Sequence, residues 1–443
     1  MCIRDRFMMD FGNSLGLETI KDAIGNVVIK KNASPGMEGR KTVIMQSHLD
    51  MVHQKNSDTV FDFDTQGIEM IIEGDWVHAN GTTLGADNGI GVAAIMAILS
   101  STDIAHPPIE AMFTIDEETG MTGAMELDPS NFDGEILLNL DTEDDDELSI
   151  GCAGGIDTNT RMSYAEVALL DDSAVFELKI SGLLGGHSGM DIDKGRGNAN
   201  KLMNRMLQKL MSIKGFQLIS IDGGSLRNAI PRESVAKFAI NHEFEGMLDV
   251  EFNTMALTLK NEFASIEKEL AIALNPVASN SDKAVASDDL NKIIRSIYAV
   301  HNGVFRMSPD IEGLVETSSS LARVIVGGGS FVTQSLQRSS VESTKDDVAN
   351  TVRASFEAVG CDVVQDGDYP GWQPNKDSEI LTILRELYIK KYNEEPQVKA
   401  CHAGLECGIL SQHLPKVDMI SFGPNIRAAH SPDEKVQLSL IHI

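Results

Sequence analysis

Residues 41–50 read KTVIMQSHLD, a short apolar run that stops on a histidine and an aspartate. The run predicts a buried strand over 41–47 that delivers His48 at its end. The same arrangement recurs downstream. Residues 88–100 (NGIGVAAIMAILS) are apolar at helical spacing, 109–115 form a second strand leading into Asp116, Glu117 and Glu118, and 135–140 (EILLNL) form a third leading into Asp141. Strands alternating with helices predict an α/β domain with a mostly parallel central sheet. In such sheets ligands gather beyond the carboxyl ends of the strands. Three strand ends here each deliver a residue able to bind a metal.

The middle of the chain reads differently. Strands are predicted at 175–181, 217–221 and 235–241, and a helix at 200–213 with Leu202, Met206, Leu210 and Ile213 on one face. Helices follow at 255–274 and 290–301. Strands at 321–326 and 331–337 then flank a VGGGS turn, before a helix at 344–359 with Ser343 as cap and Gly360 as stop, and a strand at 361–365. The α/β character returns with a helix at 378–392 and a strand at 417–422. The organisation expected is one domain of residues 1–156 and 368–443, interrupted by an inserted α+β domain, 157–367, built of two β/α units. The terminal stretches MCIRDRF and QLSLIHI fit poorly with what adjoins them; both are expected to be extraneous, with the natural chain longer at each end.

Composition bounds the possibilities. A chain of 443 residues exceeds one ordinary core, which favours two domains. With 42% hydrophobic and 23% charged residues the balance is that of a soluble globular protein. No apolar run reaches the length of about 18 residues needed to span a membrane. A net charge of −29 argues against nucleic-acid binding, because phosphates would be repelled. The five cysteines (Cys2, Cys152, Cys361, Cys401, Cys407) are odd in number, scattered and free of any Cys-x-x-Cys, so a reducing, cytoplasmic setting is expected. The opening residues do not read as a signal peptide, which counts for little when that stretch is itself expected to be extraneous.

The candidate metal ligands are individually weak. His48 and Asp50 flank one residue at a strand end, where alternate side chains share a face; Asp50 could hold the second ring N–H of His48 and fix its tautomer. Asp87, in GADNG, could be no more than the cap of the helix that follows. Asp141 could be a loop-side carboxylate and His430, in AAHSPDE, an exposed loop histidine. Together they form a set of His48, Asp87, Glu118, Asp141 and His430, the mix of imidazole and carboxylate that zinc accepts. Without cations these acids would repel one another and raise their own pKa values. Three carboxylates against two divalent ions leave a charge near +1, enough to hold a hydroxide. Glu117 and Glu118 are adjacent in extended chain and point oppositely, so one can bind metal while the other serves as a base. The acidic run TEDDDE at 142–147 lacks the glycine of a calcium loop and is assigned no site.

These residues and the strings around them, among them HLDMV, GTTLGADNGIG, DEETGMTGA, GGHSG, LRNAIPRE, YPGWQP, HAGLECG and HSPDE, resemble the aminoacyl-histidine dipeptidases, the Xaa-His or carnosine-splitting branch of the M20 metallopeptidases. The resemblance implies a zinc-peptidase-type catalytic domain with an inserted lid domain, and hydrolysis of dipeptides such as Xaa-His. It also implies two zinc ions bridged by Asp87, one taking His48 and Asp141, the other Glu118 and His430. Glu117 would be the general base acting on a zinc-bridged water and Asp50 the partner of His48. His187 in GGHSG would stabilise the oxyanion from the lid, a contribution of roughly 3 kcal/mol. Asn228 and Arg338 would grip the peptide and its carboxylate. His402 and Glu406 would line the pocket, with Glu406 meeting the substrate's free amine. Manganese or cobalt could replace zinc, and the lid could mediate a homodimer. Two rivals are an N-acyl amino acid deacylase with the same metals and a catalytically inactive metal-bound peptide binder.

Overall fold

The computed structural model describes residues 3–278 and 281–438. Its contacts divide the chain into two compact units. The first comprises Met1–Cys152, Trp372–Cys401 and Leu405–Ile443; the second comprises Ala153–Gly371 with His402–Gly404. The divisions fall at 152/153 and 371/372, a few residues from the 156/157 and 367/368 expected from sequence.

The first unit is built on an eight-stranded sheet. Its order is Glu18–Lys21, Val27–Lys31, Ile109–Thr114, Val43–His48, Ile136–Asn139, Asp418–Ser421, Glu147–Cys152 and Gln397–Cys401. The middle is parallel: Val43–His48 pairs in parallel with both Ile109–Thr114 and Ile136–Asn139, and Asp418–Ser421 with Ile136–Asn139. Antiparallel pairing is confined to Glu18–Lys21, Val27–Lys31 and one contact of Glu147–Cys152. Strands with both faces covered read as near-continuous apolar runs, which is why Ile44, Met112, Phe113 and Leu137 are all fully buried. Each such side chain contributes about 1.5–3 kcal/mol relative to exposure. Because neighbouring strands run the same way, His48 lies level with Thr114, and the segments that follow these strands emerge at one edge of the sheet.

The second unit carries a nine-stranded sheet in which every pair is antiparallel, running from Ala271–Pro276 through Ser173–Ser181, Ser234–Asn241, Gln217–Gly223, Val315–Gly327, Ser330–Ser339 and Gly154–Ser163 to Asp362–Tyr369, with Gly303–Met307 as a ninth strand on Val315–Gly327. The two β/α units merge here, joined where Ile221–Gly223 pairs with Val324–Val326. Helix Ala199–Leu210 covers the sheet with Leu202, Met203, Met206, Leu207 and Leu210 buried, and the Asn198 side chain caps it by accepting the Asn200 and Lys201 amides.

Three details differ from the sequence reading. The helix expected at 255–274 is Glu245–Glu262, and Ala271–Pro276 is a strand paired with Ser173–Ser181. The apolar AIAL stretch therefore finds its burial in a ladder rather than on a helix. Ser343 is not a cap, since helix Glu342–Glu357 begins one residue earlier and Val341 holds the cap position. At the amino end, Ile3–Ser14 is a helix with Asp5 and Met8 buried and Asp5 paired to Lys21, so MCIRDRF is in part an integral element. Residues 439–443 of QLSLIHI lie outside the described residues.

Candidate metal centre

His48 ends its strand almost wholly buried, 1% exposed. Its Nδ1–H faces the Asp50 carbonyl oxygen at 3.1 Å, which turns Nε2 towards two carboxylates: Asp87 Oδ1 at 3.2 Å and Asp141 Oδ1 at 3.3 Å. His430 Nε2 lies 3.2 Å from Asp87 Oδ2 and 3.1 Å from Glu118 Oε2. Asp87 thus faces one histidine with each of its oxygens. Donor atoms of His48, Asp87 and Glu118 all fall within 4.8 Å of one another.

Local structure explains how each residue arrives. Asp87 opens helix Ala86–Ser100 with non-helical angles, and its peptide bond to Asn88 is cis. Gly85 holds the cap position and supplies no side-chain bond. Asn88, 2% exposed, donates from Nδ2 to the Leu140 carbonyl at 2.7 Å and to the Asp141 carboxylate, and its Oδ1 accepts from the Ser47 hydroxyl. That side chain joins the ends of two strands to the start of the helix. Gly91 packs beneath it: a Cβ there would lie 2.2 Å from Asn88 Oδ1 and 2.8 Å from the Leu140 carbonyl oxygen. Asp116 holds a positive φ of 61° and accepts from the Thr119 and Thr122 hydroxyls, which folds the turn carrying Glu117 and Glu118.

Asp50 does more than its expected part. Its Oδ1 is 3.5 Å from His48 Nδ1, whereas its two oxygens accept the backbone N–H groups of Glu117 and Glu118 at 3.1 and 3.0 Å. The carboxylate fixes the glutamate pair at least as firmly as it orients the histidine.

The electrostatics are those of a site built for cations. Burial alone would lower the His48 pKa, but Asp141, Asp50 and Asp87 outweigh it and hold it well above the usual value. Contacts with Asp87 and Glu118 raise His430 to about 10. Burial pushes Asp87 up, yet His430 and His48 hold its carboxyl well below the ordinary range. Burial and then the charge of Asp141 push Glu117 up to about 9. A divalent cation would take the place of the imidazole protons and reverse the elevation at Glu117. The spacing fits as well. Two ligand atoms about 2.0–2.1 Å from one tetrahedral zinc lie about 3.3 Å apart, and the imidazole-to-carboxylate separations here run from 3.1 to 3.3 Å. Glu118 Oε1 is buried without a partner, a further oxygen free to ligate.

Glu406 lies in the same unit, fully buried, and accepts from Gln46 Nε2 at 2.7 Å and Thr114 Oγ1 at 2.8 Å. Its Oε1 has no partner among the described residues, and burial raises its carboxyl to about 7. Cys407 beside it is buried and burial pushes its thiol well up, the opposite of an activated nucleophile.

The second unit collects its own group. In the loop after Ser173–Ser181, the amides of Gly189 and Met190 donate to His187 Nδ1 at 3.2 and 3.0 Å, and Arg338 Nη2 lies 3.4 Å from Nε2. Burial and the nearby Arg338 lower His187 to about 4, so it is neutral. Arg338 is 4% exposed rather than solvated; it donates to Tyr369 Oη at 2.8 Å, and its Nε has no partner. His402, 5% exposed, meets Ser318 Oγ at 2.7 Å through Nε2 while Nδ1 is unpartnered. Asn228 is exposed and contributes its carbonyl to the Ser188 amide at 2.8 Å.

One residue of this region was missed from sequence. Glu434, in the HSPDE string, is 2% exposed and is bound to the turn that presents Asp87. No spacing rule marks it, because its partners are backbone amides almost 350 positions away.

Comparison with known proteins gives the class. The profile of peptidase family M20/M25/M40 matches residues 44–443, and the chain belongs to that family. In particular, it is 41% identical over 435 residues to the cytosol non-specific dipeptidase of Escherichia coli (strain K12), with 98% of this chain and 90% of that protein covered. The crystal structure of aminoacylhistidine dipeptidase from Vibrio alginolyticus superposes with a TM-score of 0.92 at 42% identity, covering 98% of this chain and 89% of that one. An aminopeptidase from Bacillus cereus, at 14% identity and a TM-score of 0.54, shares the fold.

Proposed function

We propose that the chain is a metal-dependent dipeptidase acting on small dipeptides with a free amino terminus, Xaa-His among them. Two divalent ions, zinc in the first instance, would be held by His48 and Asp141 on one side and by Glu118 and His430 on the other, with Asp87 shared. The observation that carries this is Asp87 itself, whose Oδ1 faces His48 and whose Oδ2 faces His430, each at 3.2 Å. The names of the relatives support dipeptides as the substrate class; one is described as acting on aminoacylhistidines and another as non-specific, so histidine in the second position is one accepted choice among several. The name of the Escherichia coli relative also supports a cytosolic location.

Bound ions supply Lewis acidity and water acidic enough to be a nucleophile near neutral pH. The protein does the rest. Glu117, ionised once cations offset the acids around it, takes a proton from the attacking water and returns it to the departing nitrogen. Glu406 offers its unpartnered oxygen to the substrate ammonium. Arg338, with its unused Nε, suits the terminal carboxylate, and neutral His187 suits a carbonyl oxygen gaining negative charge. Asn228 and His402 are assigned to peptide binding alongside them.

The test is a metal-depleted preparation assayed on Ala-His, Ala-Ala and N-acetylhistidine, before and after zinc is restored, beside Glu117→Ala. Restored protein should cleave both dipeptides and spare N-acetylhistidine. Preference for N-acetylhistidine would make it a deacylase, and full metal occupancy without turnover would make it a binder.

A further inference from the structure

Helix Ala86–Ser100 starts with a difficulty. The first amides of any helix lack intrahelical acceptors and need a cap. Asp87 lies one residue inside the helix, past the cap position, and its two oxygens face histidines. Gly85, in the cap position, has no side chain to offer.

The acceptor comes from the far end of the chain. Glu434 Oε2 accepts the amides of Leu84 at 2.7 Å and Gly85 at 2.9 Å, while Oε1 accepts those of Ala86 at 2.8 Å and Asp87 at 3.2 Å. Four consecutive N–H groups are satisfied by one carboxylate that is itself 2% exposed. Glu434 also belongs to the turn that carries His430: its own amide donates to the Ser431 carbonyl at 3.1 Å, and the Ser431 hydroxyl donates to the Ala428 carbonyl at 2.8 Å. One side chain therefore locks together the two segments that present Asp87 and His430.

We infer that Glu434 is a positioning residue for the metal centre: by accepting the four amides of the 84–87 turn, it holds the turn that presents Asp87 and fixes the distance between Asp87 and His430. The inference rests on the dipeptidase reading for its consequence in catalysis, but its first consequence is on metal affinity. Glu434→Gln keeps the shape while replacing one accepting oxygen by an NH2 group that confronts two amide donors. A residue that supports ligands in this way typically changes metal affinity or activity by about 10–100-fold when altered.

The experiment titrates zinc into metal-depleted wild type, Glu434→Gln and Glu110→Gln against a chromophoric chelator, with thermal melts and with kcat and KM for Ala-His at saturating zinc. Glu110 is the control, a buried carboxylate in the same unit that accepts the amides of Asp133 and Gly134 away from the ligands. Glu434→Gln should bind at least one zinc roughly ten-fold more weakly or worse, with kcat reduced and KM little changed, whereas Glu110→Gln should keep wild-type zinc affinity. Glu434→Gln that binds both ions like wild type, whatever its melting temperature, overturns the inference. Should Glu434→Gln fail to fold, hydrogen exchange on metal-depleted wild type decides instead. The amides of 84–87 should be protected without metal, and free exchange there in folded protein overturns the proposal. A wild type that binds zinc tightly but cleaves no dipeptide would refute the proposed function and leave this inference standing.

Discussion

Asp87 and His430 are 343 positions apart in the chain, yet Oδ2 of one lies 3.2 Å from Nε2 of the other. The other Asp87 oxygen is equally close to His48. A carboxylate that ends up between two imidazoles has been placed there by three separate pieces of the first unit: the His48 strand, the turn before helix Ala86–Ser100, and the loop ending at Glu434.

Glu117 is predicted to be needed for chemistry and dispensable for metal. Glu117→Ala should retain two zinc ions per chain while kcat falls by roughly 10²–10⁴. Metal analysis beside steady-state kinetics on Ala-His checks both halves, and a kcat within ten-fold of wild type would remove Glu117 from its role.

Glu406 is predicted to act on binding. Glu406→Gln leaves the contacts to Gln46 and Thr114 formable but removes the charge offered to an ammonium group, so KM for Ala-His should rise by about ten-fold or more, a loss of roughly 1.5–3 kcal/mol. An unchanged KM would assign the free-amine contact elsewhere.

Gly91 is predicted to tolerate nothing larger. Gly91→Ala would press on Asn88 Oδ1, Ser47 Oγ and the Leu140 carbonyl, all within 2.8 Å of the new carbon. Overpacking of this kind costs about 1–3 kcal/mol, and because Asn88 holds Asp141, zinc affinity should fall with stability. Zinc competition on a variant that still melts cooperatively makes the distinction.

His402 sets a pH dependence on stability. Burial, then Arg338 and His187, depress its pKa to about 3 against an ordinary value of 6.5. Below pH 6.5 the unfolded chain takes up a proton that the folded protein refuses, so stability is intact above that value and declines as pH falls towards 3. At pH 5 the loss relative to pH 7 is about 2 kcal/mol. Urea unfolding of wild type and His402→Gln at both pH values isolates this contribution: wild type should lose about 2 kcal/mol more than the variant between pH 7 and pH 5.

The parts of the molecule that depend on local pattern were legible in the sequence. Val43–His48, Ile109–Thr114 and Ile136–Asn139 announced themselves as apolar runs, and the rule that ligands collect beyond parallel strands turned their ends into a candidate site. Elements whose fate depends on distant partners were not. AIALNP at 271–276 has helical composition but completes a sheet edge against Ser173–Ser181. Arg338 entered through the resemblance alone, and its burial against Tyr369 has no local signature. Asp50, expected as the partner of His48, also holds the Glu117 and Glu118 amides, which no spacing announces. Glu434 escaped entirely, since a carboxylate that binds backbone amides leaves no complementary side chain to notice.

Turnover followed as zinc is added stepwise to metal-depleted protein tests the central claim most directly. If Asp87 and the four residues around it hold a pair of ions that the reaction requires, Ala-His hydrolysis should be absent at the start, rise with added metal, and level off at two zinc ions per chain. Hydrolysis by the depleted protein at the restored rate would contradict it.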